Sequence, residues 1–215
     1  MKTLGLSRTA AAIAAAIAGI IAAARGETLV GNDYAGGSLA ILEFGDDQVD
    51  DTFGTSYGVE GVGNVNLMRN LDLKLSVEYI WAEANEGGVE IDMSGLGAGA
   101  SLITFRELRD WIHPFAGIGL SVVETETQLS AGGLSTGGDG TEAGVDVGAG
   151  VELEITRALL LRGGADYFYI DDEDDVDLSA TVGYWVSEEL LAMVRGAYAV
   201  DSENTALYLG LRLKL

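Results

Sequence analysis

His113 is the only histidine in the chain, and cysteine is absent. A serine or cysteine nucleophile needs a base beside it, and a catalytic zinc needs several nitrogen or sulfur ligands. One imidazole cannot provide the second. His113 lies in Trp111-Ile112-His113-Pro114, which reads as an interfacial segment rather than a catalytic one. The other groups capable of chemistry are carboxylates. Thirty-four Asp and Glu stand against 12 Lys and Arg, for a formal net charge of -22. That balance argues against nucleic acid, whose phosphates are held by Lys and Arg. Asp171, Asp172, Glu173, Asp174 and Asp175 form the densest run, and Asp46, Asp47, Asp50 and Asp51 a second. Such oxygen-rich loops suit divalent cations that bridge carboxylates to lipid phosphates. The EF-hand spacing is missing, however, and a solvated acidic loop is the simpler reading. No GK[ST] follows any of the glycine runs, so a phosphate-cradling loop is not supported. No cofactor and no enzymatic activity are implied.

These residues must be carried by strands. The chain has 31 Gly and one Pro in 215 residues, and its hydrophobic residues alternate. Leu71, Leu73, Leu75, Val77, Tyr79 and Trp81 interleave with Asp72, Lys74, Ser76 and Glu78. The same period of two runs through 143–155 and 176–186, and through Leu207, Leu209, Leu211, Leu213 and Leu215. Alternate side chains of a strand point to opposite faces, so each segment has an apolar and a polar face. Ten segments follow: 37–45, 53–66, 71–83, 88–105, 111–127, 141–155, 159–170, 176–187, 190–200 and 205–215. The fourth changes register near Gly95–Gly99, where a bulge is expected.

Short connections (Leu67–Asn70, Arg106–Asp110, Thr156–Ala158, Ser187–Glu189) alternate with longer or acidic ones. The second set is Asp46–Asp51, Ala84–Gly87, Leu129–Gly140, Asp171–Asp175 and Asp201–Asn204, with Leu129–Gly140 read as a flexible loop. This pattern predicts an all-β, closed up-and-down antiparallel transmembrane barrel of ten strands, with eight as the alternative. Closure lets every backbone group pair, which is how strands can cross lipid. The apolar face, Val147 and Val182 included, is then expected to meet lipid. Tyr57, Tyr79, Trp81, Tyr167, Tyr169, Tyr184 and Tyr198 on that face fit interfacial girdles. The polar face is expected to line the lumen. There Glu60, Glu78, Glu90, Asp92, Asp146, Glu152, Glu154 and Asp166 face Lys74, Arg162, Arg195, Arg212 and Lys214, with Asn64 among them.

Residues 1–26 read as a signal peptide: a basic start at Lys2 and Arg8, an apolar run from Ala10 to Ala24, and cleavage near residue 24 or 26. Residues 27–36 would be a short periplasmic segment and 37–215 the barrel. The protein is expected in the bacterial outer membrane, in contact with its lipid.

Ile112-His113-Pro114-Phe115-Ala116-Gly117-Ile118-Gly119-Leu120 resembles the "x-P-[YF]-x-G-x-G" strand of small outer-membrane barrels of the OmpA/OmpX/OmpW type, a porin-like family. Gly148 to Leu153, followed by Leu159 to Arg162, resembles their next hairpin. The C-terminal Tyr208, Leu209, Leu211, Leu213 and Leu215 resemble the strand read by the barrel assembly machinery, although the family usually ends on an aromatic residue. The resemblance implies the architecture and says little about activity. Three functions stay open. The first is a structural or surface-interaction barrel with a salt-bridged lumen. The second is a narrow, weakly cation-selective channel. The third is a secreted soluble lipocalin-like barrel.

Overall fold

The computed structural model describes residues 31–45, 53–86, 88–109, 111–131, 134–156, 158–170 and 173–215. Ten strands run in chain order: β1 (Tyr34–Glu43), β2 (Ser56–Met68), β3 (Leu71–Glu86), β4 (Val89–Phe105), β5 (Ile112–Ala131), β6 (Leu134–Glu154), β7 (Leu159–Ile170), β8 (Glu173–Trp185), β9 (Leu190–Ala199) and β10 (Thr205–Lys214). Each pairs antiparallel with its neighbours in sequence, and β1 closes on β10 from Tyr34↔Lys214 to Glu43↔Thr205. The ring therefore has no edge at the level of the shortest strands, and the backbone polar groups there are paired within the protein. The proposed signal peptide, Asp46–Asp51, Asp171 and Asp172 lie outside the described residues.

Leu39, Leu120, Val147, Val182 and Leu209 project outward, each about half exposed or more. In water such a continuous aliphatic band would be a liability; in a bilayer it is the solvated face. Tyr57, Tyr79 and Trp81 form a ring cluster at one end of this band, with centroids 5.9 Å apart for Tyr79–Trp81 and 6.4 Å for Tyr57–Trp81. Tyr167, Tyr169 and Tyr198 face outward on the other side of the barrel.

Several elements differ from the sequence expectation. β1 begins at Tyr34, three residues before the expected start and within the expected periplasmic segment, because Tyr34 finds partners on both sides in Asn64 and Lys214. Leu129–Gly140 is not a flexible loop. β5 runs to Ala131 and β6 starts at Leu134, and the two pair to their ends. Glu173–Asp175 is strand rather than loop. No bulge interrupts β4, whose register with β3 is continuous from Glu86↔Val89 to Leu71↔Thr104. The register shift that does occur lies between Asn66 and Met68, next to the turn where Asn70 takes a φ of 67°. Asn tolerates that left-handed conformation better than most residues.

The absent bulge has a physical cause. In β4 the apolar residues change phase, from Ile91 and Met93 to Leu96, Ala98, Ala100 and Leu102. The strand keeps its register; the surroundings change instead. Near the outer end the exterior is water and the interior is an apolar core, so Met93 is buried while Glu90 and Asp92 face out. Deeper down the exterior is lipid and the aliphatic side chains turn to it. Glu90 and Asp92 are therefore not lumen residues.

The interior is layered. In its outer part, Leu42, Phe44, Phe53, Ile80, Phe168 and Ile170 belong to one buried apolar cluster. Phe53, from the β1–β2 connection, meets Phe44 edge-on at 6.5 Å. Charged side chains occupy the levels below.

Candidate functional site

The lumen holds most of the charged residues that the strand pattern placed there. Glu60, Lys74, Glu78, Asp146, Glu152, Arg162, Asp166, Arg195 and Arg212 are all buried. Lys214 is exposed, because it ends β10 at the inner rim, past the side chains that would cover it. Glu154 is likewise an exposed rim residue.

Glu60 is the hub. Its Oε2 lies 3.1 Å from Nη2 of Arg212 and accepts a 3.0 Å hydrogen bond from the Ser38 hydroxyl. Its Oε1 lies 3.8 Å from Nη2 of Arg195. Arg212 Nη1 also donates to the carbonyls of Gly37 and Leu211 and to Ser38 Oγ. The Arg195 guanidinium stacks on the Tyr208 ring at 3.6 Å, and the Tyr208 hydroxyl donates to Glu78 Oε1 at 3.2 Å. Glu60 and Glu78 are directly opposite on β2 and β3. Two buried carboxylates side by side repel each other, and the two guanidinium groups offset that repulsion. Residues from β1, β2, β3, β9 and β10 thus meet in one network, with Glu60, Glu78, Tyr208, Arg195 and Arg212 each under 5% exposed.

A second group lies toward the inner end. Arg162 stacks on Phe115 at 3.7 Å and approaches Glu152 at 3.5 Å. The Phe115 ring lies over Gly150, where a side chain would collide with it, and within contact distance of Gly164. Asp166 takes the space that a Cβ on Gly148 would need, so Gly148 is not a permissive lumen position. Inward glycines here make room for their neighbours' side chains and leave no gap at these positions. His113 is buried and faces the lumen, with Nε2 3.7 Å from Glu154. It is not the interfacial residue expected, because it shares the inward phase of Phe115 while Trp111 stays outside.

The sequence reading omitted Asp72, Asp175 and Asp177 from the lumen. Asp72 accepts from Asn66 Nδ2 at 2.7 Å and from the Gly31 amide. Asp177 stands directly opposite Asp166. Asp72 is in phase with Lys74, already assigned inward, and Asp177 lies on the polar side of the 176–186 alternation, so the signal was present. Asp175 was hidden in an apparent acidic loop. As strand residues, Asp174 and Asp175 point to opposite faces, so these two do not converge on one cation. Among the described residues no group of three or more His, Asp or Glu could hold a metal ion.

Asp175 instead clamps the β9–β10 turn. Its oxygens accept from the amides of Val176, Asp201 and Ser202 and from the Ser202 hydroxyl, at 2.6–3.0 Å. Burial pushes this rim carboxyl up, but these hydrogen bonds outweigh burial and hold it below its ordinary value. Asp175→Ala is expected to cost about 2 kcal/mol, in line with hydrogen bonds to a charged group. It should also speed amide exchange at Asp201 and Ser202. Because the folded value is depressed, the stabilisation is present at neutral pH and is lost as pH falls through it. Unfolding midpoints of wild type and variant, measured from neutral pH downward, should therefore converge in acid.

Ten closed antiparallel strands, an outward aliphatic band with aromatic rings and a charged, filled interior define a transmembrane β-barrel. The chain belongs to the family described as the outer membrane protein beta-barrel domain, which it matches over residues 10–185, ending with β8. By sequence, no curated protein matches. Among solved structures, the translocator domain of the autotransporter NalP from Neisseria meningitidis is 10% identical, with a TM-score of 0.56 over 97% of this chain and 98% of that one. Neisserial surface protein A is 16% identical, with a TM-score of 0.42 over 87% of this chain and 100% of that one. Ail of Yersinia pestis, in complex with the heparin analogue sucrose octasulfate, is 10% identical, with a TM-score of 0.45 over 86% of this chain and 97% of that one. The NalP likeness concerns the fold alone.

Proposed function

We propose that this outer-membrane barrel is a non-enzymatic structural and surface-display protein whose lumen is closed. One observation carries the reading. The Glu60–Arg212–Arg195–Tyr208–Glu78 network reaches through the lumen from β9 and β10 to β2 and β3, half of the ring, and every member is buried. The apolar cluster around Phe44 and Phe168 lies outward of it and adds a dry layer. Ions would have to cross both, and a dry constriction is itself a barrier. Small barrels of this size have interiors that side chains can fill. The same reading includes an exported precursor cleaved near residue 24 or 26 and a C-terminal strand recognised at assembly. The family and the outward aliphatic band count against a soluble secreted barrel.

The test is conductance of the refolded protein in planar bilayers under a KCl gradient. A barrel that inserts, migrates differently when heated and stays silent is the expected result. Steady cation-selective steps would overturn the closed-lumen reading in favour of a channel lined by the buried carboxylates.

A further inference from the structure

We propose that residues 31–34, which lead into β1, are a plug that shuts the inner mouth of the lumen. The proposal rests on the closed-lumen reading and names what closes the inner end. Asp33 holds both neighbours of β1. Its carbonyl accepts from the Leu215 amide at 2.9 Å, and its Oδ1 accepts from the Asn66 amide at 2.7 Å. The Asn32 carbonyl accepts from Asn64 Nδ2 on β2 at 2.9 Å. The Gly31 amide reaches Asp72 Oδ2 on β3 at 3.4 Å. A Cβ on Gly31 would stand 3.2 Å from the ring of Phe105, the last residue of β4. The chain therefore passes across the inner ends of β2 and β3 to β4 instead of leaving the barrel at the seam. Gly31 takes a φ of 72°, a conformation that glycine adopts without steric cost.

Tyr34 closes the other direction. It belongs to one buried apolar cluster with Val62 of β2, Leu160 of β7 and Leu191 of β9, and Trp185 of β8 packs against them. β2 and β7 are five strands apart in a ring of ten, so this cluster crosses the lumen.

Burial at the rim agrees. Asp72 lies two residues from the turn at Asn70, yet it is 0% exposed, whereas Lys214, opposite Tyr34 on β10, is open to solvent. A carboxylate so close to the mouth stays wet unless it is covered and hydrogen-bonded. Gly31 and Asn66 take its two oxygens. The charged middle of the lumen thus lies between two apolar layers, an outer one around Phe44 and Phe168 and an inner one around Tyr34. An apolar constriction without water is a barrier to ions and to charged reagents.

The chain has no cysteine, so single introduced thiols report access to the lumen. Ser101→Cys is close to isosteric, and Ser101 is buried on β4 opposite Lys74, two residues outward of Ile103. Ser56→Cys marks the outer end of β2, where the side chain is also buried. The full mature protein in phosphatidylcholine nanodiscs is treated with a methanethiosulfonate carrying a trimethylammonium group, and adducts are counted by mass. Neither site should react in the otherwise native chain. Tyr34→Ala should speed reaction at the Ser101→Cys site at least about tenfold while the Ser56→Cys site stays silent, as local opening predicts. Asp33→Ala unties the segment and leaves the cluster in place, so it should give a smaller increase, and it carries the test if Tyr34→Ala does not fold.

Reaction at the Ser101→Cys site in the native chain would overturn the proposal, as would silence there in both variants. Reaction at both sites would also overturn it, because the opening would not be confined to the inner mouth. Conductance separates this proposal from the reading on which it rests. A silent wild-type barrel whose Ser101→Cys site reacts would overturn the plug alone. A barrel that is silent until Tyr34→Ala and conducts after it would overturn the buried network as the barrier and leave the plug standing.

Discussion

Arg212→Met is expected to destabilise the barrel by about 3–5 kcal/mol, the usual cost of removing one partner from a buried ion pair. Arg212 donates to Glu60, Ser38 and the carbonyls of Gly37 and Leu211, and it is almost fully buried. Its loss leaves Glu60 and Glu78 adjacent, with Arg195 as the guanidinium between them. The second half of the experiment separates a charge effect from a packing effect. Arg212→Met combined with Glu60→Met removes one charge of each sign, and the remaining Arg195 serves Glu78 and the Tyr208 ring. Replacing both members of a buried pair by apolar groups is often close to neutral, so the double variant should recover most of the loss. Urea-dependent folding into lipid vesicles, read by heat-modifiable gel migration, gives the four corners of the cycle. A double variant less stable than the single one would show that the network is held by packing rather than by charge.

Val194→Arg is expected to cost about 2–4 kcal/mol, the penalty for a cation on the lipid face near the bilayer midplane. Val194 is outward, 45% exposed, and pairs with Val182 and Leu209. It lies four residues from Tyr198 toward the outer end and four from Leu190 toward the inner end, so an arginine there has a long reach to either interface. Val147→Arg should cost less. Val147 is as exposed, but its β7 partner is Tyr167, a ring at the outer belt, and the penalty falls toward the interface. The ranking by depth tests the orientation of the barrel in the membrane. Equal tolerance at Val194 and Val147 would sink the assignment of the aliphatic band to lipid, and with it the girdle assignment.

Much of this architecture was legible in the chain. The period of two in β3, β6 and β10 marks two-faced strands, and ten such segments separated by alternately short and long connections require an antiparallel ring. Nine lumen charges follow from phase alone. Glu60, Lys74 and Arg195 lie on the polar side of their strands, and that side is the interior at mid-depth. The same rule misled at the ends. Glu90 and Asp92 have the polar phase but stand above the lipid, where polar means outward. Leu129–Gly140 and Glu173–Asp175 look like loops because Gly, Ser and Asp are poor strand formers in isolation. In β5–β6 and β7–β8, pairing with a neighbour overrides that preference.

By itself, the sequence determined the two faces of the strands, the closure of the sheet and the concentration of acid at one rim, and it favoured ten strands over eight. Alternation is a property of neighbouring residues, and it survives without knowledge of anything distant. Only the tertiary structure decided which charge meets which: that Glu60 is shared by Arg195 and Arg212, that Tyr208 reaches Glu78 across 130 positions, and that Asp175 ties down a turn 26 residues away. Those contacts depend on the stagger between strands, and stagger is set by how the whole ring closes.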